Sequence, residues 1–441
     1  MNSLLTVVSL AFAVGVVYLV PGDGATAVLL CAVAAAVAGF FLRRAEGGVF
    51  LVQVFVAALL VRLAVAAFIF VFELHEYFGG DALTYDALGA SVVDDWRGLL
   101  SPEHYAEYVR PHLGNNWGMT YLTALIYVLT GRNMLAVQFF NAVVGAATAP
   151  LIYLCAQHIF RNRRVARLSL FFVAFWPSLV LWSAQGLKDG PITFLLAAAF
   201  LLTLKLTERL RLDYCALLVA TLLCLLSLRF YVFYIVAASI AGSYALRGVA
   251  GPKDLLRQYV AIAIVGGALA VLGIARGAGE HLELMGNLEN VQRSRAYQTT
   301  FNSGYAQELD VSTAGGALSA LPIGASYLLF APFPWQLSSF RAAITLPEML
   351  VWWACFPILI MGLGYAVRHK FREALPILLF TLVLTLAYAI FQGNVGTAYR
   401  QRAQLMVFYF IFIAVGYVIF KERRENRKLQ RESHRVIRRL K

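Results

Sequence analysis

Apolar runs too long to be hidden inside a soluble protein recur along this 441-residue chain. A helix that spans a bilayer needs about 20 mostly apolar residues. Twelve stretches serve as spans, several of them short: 3–20, 25–42, 48–73, 134–160, 165–184, 190–206, 214–229, 230–247, 258–275, 346–367, 374–391 and 405–420. The runs are continuous, whereas barrel strands alternate apolar and polar residues. Hydrophobic residues make up 60% of the chain and charged residues 14%, well under the roughly 25% charged of a globular protein. The expected fold is therefore an all-α polytopic membrane protein of twelve transmembrane helices. The first twenty residues carry no Lys or Arg, so they read as an uncleaved first helix rather than a secretory signal. The five cysteines, Cys31, Cys155, Cys215, Cys224 and Cys355, all lie in apolar runs without zinc-ligand spacing.

Charge placement threads the chain. Connections 43–48, 161–167, 205–213, 247–257 and 368–373, with the tail from Lys421, hold 25 of the 37 Lys and Arg. The intervening connections hold 16 of the 24 acids. Basic loops mark the cytoplasmic side, which puts both termini in the cytoplasm. The apolar stretch 117–130 is only 14 residues long, and crossing there would invert every later loop. It is expected to lie along the outer surface, as is 319–335 with its three prolines. Two large external segments follow, 74–133 and 276–345. The tail 421–441 is expected to form a basic cytoplasmic strip, against anionic lipid or as a plain topology signal.

Polar residues gather on the outer side. Asp81 follows Gly79 and Gly80, which allow a sharp turn, and shares a helical face with Tyr85, with Asp86 beside it. Asp81 reads either as a helix N-cap or as a carboxylate that takes a proton from an acceptor hydroxyl. Lys188 and Asp189 sit between two spans; Lys188 either pairs with Asp189 or contacts a phosphate. Arg400 and Arg402 lie where positive charge is scarce, and arginine suits bidentate phosphate binding. Asn394, Gly396 and Thr397 precede them, with Tyr399 adjacent. Arg229, closing the seventh span, is a third phosphate donor or a snorkelling end residue. Arg62 lies mid-span, where a charge usually faces a cavity or a partner. Glu348 and Trp335 flank the end of the second external segment and shape an acceptor site or simply pack. His104 and His112 lack a third ligand at suitable spacing, so no metal is expected. No Walker pattern or GxGxxG loop is present, and no cofactor or nucleic acid is expected.

Gly80-Asp81 with Tyr85 resembles the loop signature of the protein O-mannosyltransferase and aminoarabinose-transferase branch of the GT-C membrane glycosyltransferases. Asn116-Trp117-Gly118 leading through Ile126-Tyr127 to Gly131 resembles the surface helix of that branch. Trp176-Pro177-Ser178 followed by Lys188-Asp189 resembles a pattern of many bacterial members. The likeness runs along 48–260 and on into the C-terminal part, 261–420. The chain departs from it in having Asp81-Ala82 where the branch has Asp-Glu, in two extra helices within 1–47, and in the expected lack of a large soluble C-terminal domain. The resemblance implies a polyprenyl-phosphate sugar as donor and a glycan, lipid or protein as acceptor, in a bacterial inner membrane with the active site external. The expected reaction is an inverting transfer with Asp81 as base and Lys188, Arg229, Arg400 and Arg402 on the donor phosphate. Tyr85, Asp86, Asp189, Glu348, Asn394 and Tyr399 are substrate-binding candidates. The rivals are a polymerase or ligase of polyprenyl-diphosphate oligosaccharides acting through Arg293 and Arg295, a lipid or sugar transporter, and a non-catalytic assembly partner.

Overall fold

The computed structural model describes residues 3–113, 117–246, 252–274, 279, 281, 283, 286–336 and 340–440. Among the described residues the chain is helical and forms no strand; one isolated antiparallel bridge joins Gly304 to Asn394. Every predicted span falls on a helix. Among the described residues, seven helices are long and apolar enough to cross a membrane, from Gly24–Arg43 to the helix starting at Ala403. An eighth span would be the pair Arg163–Phe175 and Pro177–Ser183, bent by 54° at its break. The remaining predicted spans are the shorter apolar helices Ser3–Leu19, Leu212–Leu228, Phe230–Leu246 and Leu256–Val271. The chain is an integral membrane protein of polytopic helical fold.

Two helices form the centre. Met134–Phe160 buries most of its residues, and from Ala403 to Val415 the last helix is buried on every side, as expected of a segment that is apolar all round. Small residues let its neighbour approach closely. A Cβ on Gly416 would lie 2.1 Å from the Ile358 carbonyl, and one on Gly362 1.8 Å from that of Phe412.

The break at Pro177 shows how the sequence bends a span without leaving polar groups bare. Proline has no N–H, so the Val173 carbonyl loses its helical donor. The next amide, Ser178 N, turns instead to Glu348 Oε2 at 2.8 Å. Arg62 supplies what is missing: Nη2 donates to Val173 O at 3.2 Å, Nη1 to Ala174 O at 2.6 Å and Nε to Ser183 Oγ at 2.9 Å. The mid-span arginine thus has a partner, the broken end of another helix.

The two sets of connections separate to opposite ends. At one end Asn133 Nδ2 donates to Asp23 O at 2.9 Å, Arg132 pairs with Asp86 at 2.6 Å and Arg400 with Asp81 at 2.7 Å. At the other, Arg163 pairs with Glu46 at 3.3 Å and Arg161 with Glu208 at 3.9 Å. The Gly118–Thr130 helix starts against Ser227 and ends beside Arg132, both at the first end. It therefore lies across that end instead of crossing. The Ala314–Phe330 helix does likewise: Ala317 and Ala320 pack near Phe391, and Leu328 and Leu329 reach Arg402. Asn116 lies outside the described residues.

The chain reverses after the third helix at Glu73, whose φ is +53°, and not at the glycine pair; Gly80 keeps a right-handed φ of −52°. Asp81 is the first residue of the Asp81–Trp96 helix, and its side chain makes no cap bond. The N-cap reading is therefore corrected: the carboxylate is directed to a cation.

Candidate active site

The loop Ala184–Lys188 joins the broken span to the Asp189–Glu208 helix, and Asn141 holds it. Its Nδ2 donates to the Gln185 carbonyl at 2.7 Å and the Leu187 carbonyl at 2.8 Å. Gly186 lies against Ala82, a Cβ there falling 3.7 Å from the alanine Cβ. The start of the Asp81–Trp96 helix and the start of the Asp189–Glu208 helix thus come side by side.

Arg400 joins them. It sits near the end of the short Val395–Gln401 helix, which Asn394 caps by accepting from Thr397 N at 3.2 Å. Its Nε donates to Asp189 Oδ2 at 2.5 Å and its Nη1 to Asp81 Oδ2 at 2.7 Å. The Asp189 side chain is 2% exposed and that of Asp81 58% exposed, so one guanidinium bridges a buried carboxylate and an open one. Burial works against charge on Arg400, but Asp189 and then Asp81 outweigh it and raise its pKa. Its guanidinium carbon also lies 5.9 Å from the centre of the Trp182 ring.

Arg229 approaches from the junction of two short helices, its Nη2 3.8 Å from Asp189 Oδ1. Its Nη1 is 3.5 Å from the Tyr388 hydroxyl, which donates to Gln404 Oε1 at 3.0 Å. Lys188, half-buried, is drawn into none of these ion pairs. Burial first, then the field of Arg229, pushes its ammonium down to about 7. Tyr85 stands one turn beyond Asp81, and burial together with Asp81 pushes its phenol up to about 12.

Asp81, Tyr85, Lys188, Asp189, Arg229 and Arg400 therefore meet at one end of the bundle. The other predicted residues do not join them. Arg402 is fully buried and donates to the carbonyls of Leu329 at 2.9 Å and Ala331 at 3.1 Å. It cannot reach a phosphate without leaving them. Tyr399 is buried between Trp182 and the Arg402 guanidinium. Glu348 accepts from Trp176 Nε1 at 2.7 Å and from Ser178 Oγ at 2.7 Å, which fixes the broken span rather than a substrate. Asp86 accepts from the Tyr127 hydroxyl and from Arg132, tying the surface helix to the Asp81–Trp96 helix. Asn394 caps a helix. Trp335 is exposed and stacks on Phe333. Among the described residues no three His, Cys, Asp or Glu side chains could hold a metal; the side chains of His104 and His112 lie outside them.

Sequence reasoning missed Asn141, Tyr388 and Gln404. Their signal was available: Asn141 and Tyr388 are polar residues inside apolar spans, where an unpaired amide or hydroxyl is costly, and Gln404 stands one residue ahead of the last span.

Residues 117–275 match the model of a family described as dolichyl-phosphate-mannose-protein mannosyltransferase. The matched stretch carries Lys188, Asp189 and Arg229 and stops short of Asp81 and Arg400. No curated protein matches the chain. The matched family is of the GT-C type, in keeping with the motifs, and the match implies that the chain is a membrane glycosyltransferase of that type.

Proposed function

We propose that the protein transfers a sugar from a polyprenyl-monophosphate donor to an acceptor hydroxyl at the outer face of the membrane, with inversion. The observation that carries this reading is the bridge of Arg400 between Asp81 and Asp189, with Lys188 and Arg229 alongside. Two carboxylates face three cations, a surplus of one positive charge when Lys188 is protonated. A sugar phosphodiester brings one negative charge and leaves as a phosphate monoester with a second, so the cluster matches the charge that grows during transfer. In this reading Asp189 holds Arg400 and Arg229. Asp81 Oδ2 is held by Arg400, and Oδ1 accepts the proton of the acceptor hydroxyl. The acceptor oxygen bonds to the anomeric carbon as the bond from that carbon to the phosphate oxygen breaks. Side chains meet the charge on the leaving phosphate, so the reading needs no metal or cofactor.

The matched family's description, which contains a lipid-phosphate sugar, supports the donor class. The bias of Lys and Arg toward the opposite connections supports the outer face. The acceptor is a glycan, a lipid or a protein. A diphosphate polymerase or ligase acting through Arg293 and Arg295 finds less support: Arg295 is engaged with backbone carbonyls, and Arg293 pairs with Asn290 at 2.5 Å.

Purified protein assayed with polyprenyl-phosphate sugars tests the reading. Asp81→Asn is expected to abolish transfer while the protein stays folded. Arg400→Ala and Lys188→Ala should each lower turnover by about two orders of magnitude. Full activity of Asp81→Asn removes Asp81 as base.

A further inference from the structure

Arg295, in the Leu288–Thr299 helix, is 1% exposed, and no carboxylate pairs with it among the described residues. A buried guanidinium without a counter-ion is costly unless strong acceptors surround it. Here two of the acceptors are carbonyls at the end of the Phe371–Phe391 helix, which carries the negative end of the helix dipole, and a third is the Ala306 carbonyl. Nη1 donates to Gln392 O and, at 3.4 Å, to Ile390 O; Nη2 donates to Ala306 O at 3.4 Å.

The same stretch is held at several further points. The Tyr305 hydroxyl donates to Gln392 O at 2.7 Å, and Gly393 N to Gln298 Oε1 at 3.1 Å. Backbone bonds run from Tyr305 N to Gly393 O and from Val395 N to Ser303 O, both 2.9 Å. Ser303 Oγ donates at 2.9 Å to Asn394 Oδ1, the atom that caps the Val395–Gln401 helix. Gly393 is pressed so closely that a Cβ would stand 2.9 Å from the Arg295 carbonyl. Arg400 lies one residue before the end of that helix. Just beyond it, Arg402 is fastened to the Leu329 and Ala331 carbonyls at the end of the Ala314–Phe330 helix.

We infer that the segment from Leu288 to Tyr305 is a clamp that sets the position of Arg400, with Arg295 as its positioning residue. The segment does not touch the reacting groups. It fixes the chain on the near side of Arg400 while Arg402 fixes the far side, so the guanidinium meets Asp81 and Asp189 without searching. Its catalytic consequence rests on the reading of Arg400 as a donor-phosphate ligand; the positional claim does not.

The test uses the full chain in detergent, with phenylglyoxal as a probe of arginine exposure, read peptide by peptide by mass spectrometry. In Arg295→Met, modification of Arg400 should rise about tenfold, the equivalent of losing one or two hydrogen bonds. Arg402 should stay protected, and Arg295→Lys should restore most of the protection of Arg400. Binding of a short-chain polyprenyl phosphate should weaken about tenfold in Arg295→Met, and Arg295→Met with Arg400→Gln should bind no worse than Arg400→Gln alone. If Arg402 also becomes reactive, the variant has unfolded, and Tyr305→Phe, which removes a single bond to Gln392, decides: raised Arg400 reactivity upholds the clamp and unchanged reactivity overturns it. Unchanged Arg400 protection in folded Arg295→Met, or additive losses in the double variant, also overturns it. Raised Arg400 reactivity with phosphate binding that Arg400→Gln leaves intact upholds the clamp and removes the phosphate role instead.

Discussion

Lys188 differs from the arginines around it in having a charge that depends on pH near neutrality. Burial, and after it Arg229, holds its pKa at about 7, with Asp189, Arg400 and Asp81 completing the field. Below that pH the ammonium is charged and attracts a phosphate; above it the amine is neutral and the attraction is lost. A bound phosphate favours the charged form, so binding takes up a proton. Affinity for polyprenyl phosphate is therefore expected to fall as pH rises through 7, by up to tenfold per pH unit. Calorimetry in buffers of different ionisation heat should show proton uptake. Lys188→Arg, charged throughout, should flatten the profile. Wild-type affinity that does not change across neutrality would refute this role. At this scale the sequence was partly legible. It marked Lys188, Asp189 and Arg400 by their presence on the acid-rich side. It misled at Arg402, because residues two apart on a helix point about 200° apart. One arginine of such a pair reaches the carboxylates while the other enters the core.

Helix ends, more than helix middles, decide how the site is built. Pro177 breaks a span, and the freed groups go to two residues far away in sequence: Arg62 takes the carbonyls of Val173 and Ala174, and Glu348 takes the amide and hydroxyl of Ser178. This fixes the bend that delivers the Ala184–Lys188 loop to Asn141 and the site. Arg62→Leu should leave these acceptors bare in a medium without water, at about 1–3 kcal/mol each. A loss of about 3 kcal/mol or more in total is expected, seen as early thermal unfolding in detergent. A wild-type melting temperature would mean that water or another donor replaces the guanidinium. The sequence announced the proline and the stray arginine separately. Nothing in local pattern says that they belong to one device, since the pairing depends on which helices pack together. The same holds for Arg295, whose partners are backbone carbonyls and carry no sequence mark.

At the scale of the whole molecule, the alternation of basic and acidic connections and the packing of the helices give one answer. Apolar length found the helices because lipid demands it. Charge found which ends go together because loops of one sign stay on one side. The ambiguous stretch 117–130 shows the two signals resolving each other. Its length is short for a span, crossing would scramble the charge alternation, and its helix in fact starts beside Ser227 and ends beside Arg132, at the end that holds Asp81. What remains is which way that end faces. The tail from Lys421 continues the last helix and is strongly basic, with residues 421–430 exposed. Moving its ten basic residues across a membrane is far costlier than keeping them in the cytoplasm. A cysteine placed at Ser101, in the segment that follows the Asp81–Trp96 helix, should react with a membrane-impermeant maleimide added outside intact cells. One placed at Arg427 should react only after the membrane is opened. The reverse pattern would put the carboxylates and arginines on the cytoplasmic face, and the donor would then have to be a lipid-linked sugar presented from inside.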